Sequence, residues 1–335
     1  MSRQSPPRAS HALSWLLAVV LTLTVVILGA YTRLSDAGLG CPDWPGCYGH
    51  LAVPASPDAV ARANDAFAHR PVESSKAWKE MVHRYAAGLL GLAVLALAVS
   101  AWRRGADRRL ATGTLLLIVF QAALGMWTVT LLLKPVVVMG HLLGGFGVLS
   151  LLWLGYLNAR SFVPERRAAP PYLLRRLAFM GIVVLVVQIA LGGWTSANYA
   201  ALACPTFPKC MGEWWPPMDM KDGFVLWRGL GVNYEFGVLD SPARVAVHMA
   251  HRAWAVVTFL YLGALAIAAL RQTGPVRAAA AVMLLLLLGQ VSLGIANVWL
   301  SLPLAVAAAH NAVAALLLLA LLTLTHILVR RTSRG

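Results

Sequence analysis

Charge is scarce in this sequence: 12% of its 335 residues are Asp, Glu, Lys or Arg, against 59% that are hydrophobic. So apolar a balance excludes an ordinary cytosolic domain. Acids are the scarcer sign, 13 against 28 Lys and Arg, and cysteine is limited to four residues. What is abundant is arranged in eight apolar blocks, roughly Leu13 to Thr32, Met81 to Trp102, Leu110 to Leu132, Val136 to Tyr156, Leu173 to Ser196, Val245 to Leu270, Ala278 to Val298 and Leu304 to Val329. Each is roughly the 20 residues that cross a bilayer as a helix. The fold class expected is an all-α integral membrane protein with eight transmembrane helices. Arg3 and Arg8 ahead of the first block also suit a cleaved signal peptide. That block runs on into a motif repeated later in the chain, so it is read as a mature helix.

The few charges are unevenly placed. With the N-terminus inside, the inner segments hold sixteen Lys and Arg against two acids, Asp107 and Glu165, leaving twelve basic and eleven acidic residues outside. The positive-inside rule then puts both termini in the cytoplasm. Basic residues in short loops between spans read as topology determinants, which argues against a nucleic-acid partner despite the basic pI. Two outer connections are long, Leu34 to Glu80 and Ala197 to Arg244, and long loops on one face usually carry function.

The chain repeats itself. Leu28-Gly29-Ala30-Tyr31-Thr32 and the later Cys41-Pro42-Asp43-Trp44-Pro45-Gly46-Cys47 recur 163 residues on as Leu191-Gly192-Gly193-Trp194-Thr195 and Cys204-Pro205-Thr206-Phe207-Pro208-Lys209-Cys210. His83-Arg84 recurs as His251-Arg252, Gln121-x-x-Leu124-Gly125 as Gln290-x-x-Leu293-Gly294, and His141 as His310. Two tandem, pseudo-symmetric four-helix bundles are expected, residues 1–160 and 170–335, with cofactor sites between facing helices. The repeated Leu-Gly steps permit close approach of a neighbouring helix or of a planar ligand. Two like cysteine pairs in outer loops favour disulfides within each loop, Cys41–Cys47 and Cys204–Cys210, either structural or redox-active, over a metal site.

His11, His50, His69 and His326 lie in tails, loops or near a span's inner end. His83, His141, His248, His251 and His310 instead share one depth, within about two turns of the outer span ends. Ionisable groups inside a membrane are expensive and default to functional candidates. Two imidazoles facing across a bundle can hold haem iron from both sides. The repeat pairs His83 with His141, and His251 with His310. Glu80-x-x-His83 is also half of a di-iron motif, but no second Glu-x-x-His or further glutamate pair is present to complete it. The matching pair in the second half is His248-x-x-His251, so the acid belongs to the first half alone. Arg84 and Arg252 read equally as partners of haem propionates or as arginines snorkelling at a helix end. Trp44, Trp78, Trp127, Trp194, Trp214, Trp215, Trp227 and Trp299 read mostly as an interfacial belt.

Taken together, Gly29-Ala30-Tyr31-Thr32-Arg33-Leu34, Gly38-Leu39-x-Cys41-Pro42-Asp43-Trp44-Pro45, Glu80-x-x-His83-Arg84, His141, Cys204-Pro205-x-Phe207-Pro208-x-Cys210, His251-Arg252 and His310 resemble the haem A synthase family, from the first span to the eighth. The resemblance implies a bacterial inner-membrane oxidoreductase that converts haem O to haem A, through a hydroxymethyl intermediate, for aa3-type terminal oxidases. It implies haem B as cofactor on His251 and His310, haem O as substrate between His83 and His141, Glu80 as the essential acid, and Cys41 and Cys47 as the first-loop disulfide. Haem O synthase and an electron-transfer protein are the partners it implies. Two other readings of the residues stay open: a di-haem cytochrome moving electrons from quinol, and a non-catalytic haem carrier.

Overall fold

The computed structural model describes residues 8–160 and 172–332. Of the inner charges counted above, Arg3, Glu165, Arg166, Arg167 and Arg334 lie outside the described residues. Ten helices form among the described residues: α1 (Arg8–Leu34), α2 (Pro57–Ala66), α3 (Ser74–Arg104), α4 (Arg108–Thr130), α5 (Pro135–Ala159), α6 (Tyr172–Ala197), α7 (Met220–Gly223), α8 (Ser241–Leu270), α9 (Pro275–Trp299) and α10 (Leu304–Thr332). Eight of them are long and apolar enough to cross a membrane. The two short ones, α2 and α7, lie in the long connections, where apolar periodicity offered no sign of them.

Leu- and Ala-rich runs favour helix, and proline in the first turn of α2, α5, α8 and α9 starts a helix where its missing N–H has no intrahelical partner to lose. Helices α3 and α8 begin at Ser74 and Ser241, ahead of the apolar blocks at Met81 and Val245. Helical hydrogen bonding continues beyond the lipid-compatible stretch, so His83 and His251 sit more than two turns from their helix starts, deeper in their helices than the block edges suggested.

Packing follows a regular order. α1 contacts α3, α3 contacts α4, α4 contacts α5 and α5 returns to α1; α6, α8, α9 and α10 make the same circuit. The two circuits meet where α1 packs on α10, α5 on α6 and α5 on α10. Lipid is as apolar as leucine, so close fit rather than water exclusion holds such helices together. Trp15 is fully buried against Gly155, where a Cβ would lie 2.2 Å from the indole. Gly193 leaves similar room for Leu142. Trp153 Nε1 donates to Thr323 Oγ1 at 2.9 Å, tying α5 to α10.

The two long connections repeat each other in backbone detail. Each carries a cis X-Pro bond, Trp44-Pro45 and Phe207-Pro208. Each has an antiparallel bridge, Cys47 with His50 and Cys210 with Glu213, and left-handed residues at the matching pairs Asp36 and Tyr199, Tyr48 and Met211.

Candidate functional site

Both expected disulfides are present, Cys41–Cys47 and Cys204–Cys210, each fully buried. The four histidines of the repeat each lie against a glycine of a neighbouring helix. A Cβ on Gly29 would come 2.9 Å from His83 Cε1, and on Gly125 3.4 Å from His141 Cε1; on Gly192 and Gly294 it would stand 3.2 Å from Cε1 of His251 and His310. The repeated Leu-Gly steps therefore make room for imidazole rings, a role that helix-packing reasoning missed although the shared offset was visible.

In the first half the His83 and His141 ring centres are 6.4 Å apart with their planes perpendicular. Two imidazoles on opposite sides of one metal, with bonds of roughly 2 Å, put ring centres roughly 6 Å apart. Nδ1 of both rings, and of His310, is buried and not closed by a hydrogen bond. Backbone carbonyls of Val25, Gln121 and Gln290 stand beside the rings of His83, His141 and His310 in turn. In the second half His310 lies close enough to His251 to act on it electrostatically. Gln188 Nε2 is 3.3 Å from His251 Nδ1, and Gln290 Nε2 3.2 Å from His310 Nε2. Among the described residues no three His, Cys, Asp or Glu side chains cluster to hold a metal ion by themselves. An imidazole pair supplies two donors, which suits a metal whose other donors arrive with it, as in a tetrapyrrole.

One turn from His83, Glu80 is 4% exposed. Its Oε2 accepts from the Cys41 backbone N–H at 2.9 Å and its Oε1 from Arg84 Nη2 at 2.5 Å. Arg84 Nη1 reaches the carbonyls of Asp43, Pro45 and Gly46. Gly40, beside Cys41, is pressed against the α3 backbone, where a Cβ would meet Lys76 C at 2.6 Å. The acid is thus fixed from one side by its own helix and from the other by the disulfide loop. The second half keeps the layout and changes the chemistry: His248 takes the place of Glu80, sharing a hydrogen bond with the Ala200 carbonyl at 2.9 Å. Arg252 donates from Nε to His248 Nε2 at 2.9 Å and from Nη2 to the Cys204 carbonyl at 2.8 Å. Both arginines therefore clamp a loop to a helix, a role their sequence setting did not announce. Arg252 Nη1 alone stays buried and unpartnered.

Residues 13–322 match the model of the cytochrome oxidase assembly protein family COX15-CtaA. The chain belongs to this family. Similar proteins within it are a heme A synthase of Shewanella oneidensis, 48% identical over 96% of this chain and 98% of that protein, and one of Rhizorhabdus wittichii, 30% identical over 96% and 94%. A heme A synthase of Methylobacterium radiotolerans is 30% identical over the whole of this chain and 93% of its own. Membership agrees with the resemblance carried by the duplicated motifs. Most of the tryptophans set in the interfacial belt are exposed, as are Trp214 and Trp215, but Trp194 is buried and donates from Nε1 to the Gly223 carbonyl at 2.8 Å.

Proposed function

We propose that this chain oxidises haem O to haem A. The supporting observation is the facing pair His83 and His141, each ring let in by a glycine, with the buried carboxylate of Glu80 one turn away. Turning a methyl into an aldehyde removes four electrons and adds one oxygen atom, with the hydroxymethyl stage reached after the first two electrons. The protons released need an acceptor, and Glu80 supplies a carboxylate beside an iron ligand. Cys41 N–H and Arg84 hold that carboxylate in place, one hydrogen bond to each oxygen.

We assign haem O to His83 and His141, and the resident haem B to His251 and His310. Bound haem B supplies one-electron redox chemistry. The chain's own part there is to present an imidazole nitrogen of each ring, to offer the Gln290 carbonyl to the His310 ring, and to exclude water with apolar helices. Arg252 keeps a free donor for a propionate, whereas the terminal nitrogens of Arg84 are already engaged. The two circuits are read as tandem units, residues 1–160 and 170–335, in the bacterial inner membrane, with both termini cytoplasmic and the long loops periplasmic. Haem O synthase upstream and an electron-transfer protein are the partners this chemistry calls for.

Pigment extraction from membranes of cells making haem O and this chain is the test. Haem A or its hydroxymethyl precursor is expected. Haem B with bound quinone would mark a di-haem cytochrome instead, and unmodified haem with no turnover a carrier.

A further inference from the structure

Lys134, at the N-terminus of the helix that carries His141, is 2% exposed. A buried ammonium is costly unless well partnered. Its partners are the Gly229 carbonyl and the face of Trp227, with Nζ 3.3 Å from the ring centre, and the Tyr234 ring lies 5.9 Å away. All three belong to the second long outer connection, which arises from the other half of the chain.

Further contacts draw the same segment onto the first half. The Tyr234 N–H donates to the Leu132 carbonyl at 3.0 Å, and Tyr234, 2% exposed, packs with Leu39, Val129 and Leu133. Arg70 grips Glu235 with both terminal nitrogens, at 3.2 and 2.7 Å. Gly229, Gly231 and Gly237 all take positive φ, so the segment makes turns that other residues resist. The clasp has no copy: Pro303 occupies the place of Lys134 in the second half. Leu39, under Tyr234, lies two residues before Cys41, whose N–H holds Glu80.

We propose that residues 227–237 form a strap from the second half that closes the outer mouth of the first-half site, and that Lys134 is the positioning residue that latches it. Its function is retention: the hydroxymethyl intermediate stays in place until the second two-electron oxidation makes the aldehyde. This rests on the assignment of the first half as the substrate half. A cation–π contact strengthens when the cation is desolvated, as Lys134 is.

The test is the ratio of hydroxymethyl to aldehyde haem extracted from the full chain. Lys134→Met is expected to raise that ratio several-fold while the second-half haem spectrum keeps its intensity, and Lys134→Arg to bring the ratio back. Loss of folded protein would lower both products together and leave the ratio alone. Should Lys134→Met fail to fold, Trp227→Leu and Glu235→Gln loosen the strap from its other side and are expected to move the ratio in the same direction. An unchanged ratio in a folded Lys134→Met, or in both substitutes, overturns the strap. If the unsubstituted chain makes no haem A, it is the proposed activity that fails and not the strap.

Discussion

The two halves share a plan and differ at a few matched positions, and the proposed division of labour follows those differences. Glu80 in the first half is His248 in the second, Val25 is Gln188, Thr128 is Asn297, Leu142 is Asn311 and Lys134 is Pro303. The first half therefore holds an acid and a latched strap around its histidine pair. In the second, Gln188 joins Gln290, the match of Gln121, against the histidines, and Oε1 of both glutamines and Oδ1 of Asn297 and Asn311 are buried without partners. A site that must accept, change and release a molecule needs a proton acceptor and a gate. A site that keeps its cofactor gains more from polar groups that orient ligands.

The largest expected effects break that division outright. Glu80→Gln keeps shape and one hydrogen-bond acceptor but removes the base, and is expected to abolish haem A formation while the second-half haem B spectrum persists. Equal loss of both would contradict the assignment of halves. His251→Ala and His310→Ala are each expected to deplete haem B in purified protein. A full low-spin complement in both would remove that ligand pair from consideration.

Next in size is the contrast between the two disulfides. Each closes a loop of the same length, with six residues of sequence separation, so loop-closure entropy assigns both the same stability, about 2 kcal/mol. Only the first loop, however, lends a backbone N–H to the acid. Replacing Cys41 and Cys47 by Ser is expected to cut haem A formation far more than replacing Cys204 and Cys210, for a similar fall in thermal midpoint in detergent. Parallel losses of activity would make the loops merely structural.

How much of this the sequence carried varies with range. Hydropathy located all eight spans, because bilayer thickness sets a length that composition displays directly. The histidine pairs came from duplication, since matched offsets survive the folding of each half. Contacts between distant elements leave no such trace. The Arg84 guanidinium turns to loop carbonyls some forty residues away, and the Lys134 ammonium to a carbonyl 95 residues on. Nothing in the local pattern around either residue points to those partners. The glycines beside the histidines lie between these cases: their recurrence was legible, but only packing reveals that imidazole fills the notch.

The smallest expected effect tests the amide side of the comparison. With Nε2 of His251 on a metal, its Nδ1 carries the proton and needs an acceptor, the arrangement that usually fixes a ligating histidine. The Gln188 amide lies against that ring with its Nε2 3.3 Å from Nδ1, and turning the amide plane over brings the unpartnered Oε1 to that place as the acceptor. An acceptor at Nδ1 makes the imidazole a stronger donor and favours the oxidised metal. Val25, at the matching place in the first half, has no polar side-chain atom, and only its backbone carbonyl stands beside His83. Gln188→Val is thus expected to raise the reduction potential of the second-half haem. A net hydrogen-bond contribution of about 0.5–1.5 kcal/mol corresponds to roughly 20–60 mV for a one-electron couple. Redox titration followed by absorption would read this, with haem content unchanged. A potential that stays put would mean that Gln188 only fills space, and the amide-rich lining would then have to act through Gln290 or the two asparagines.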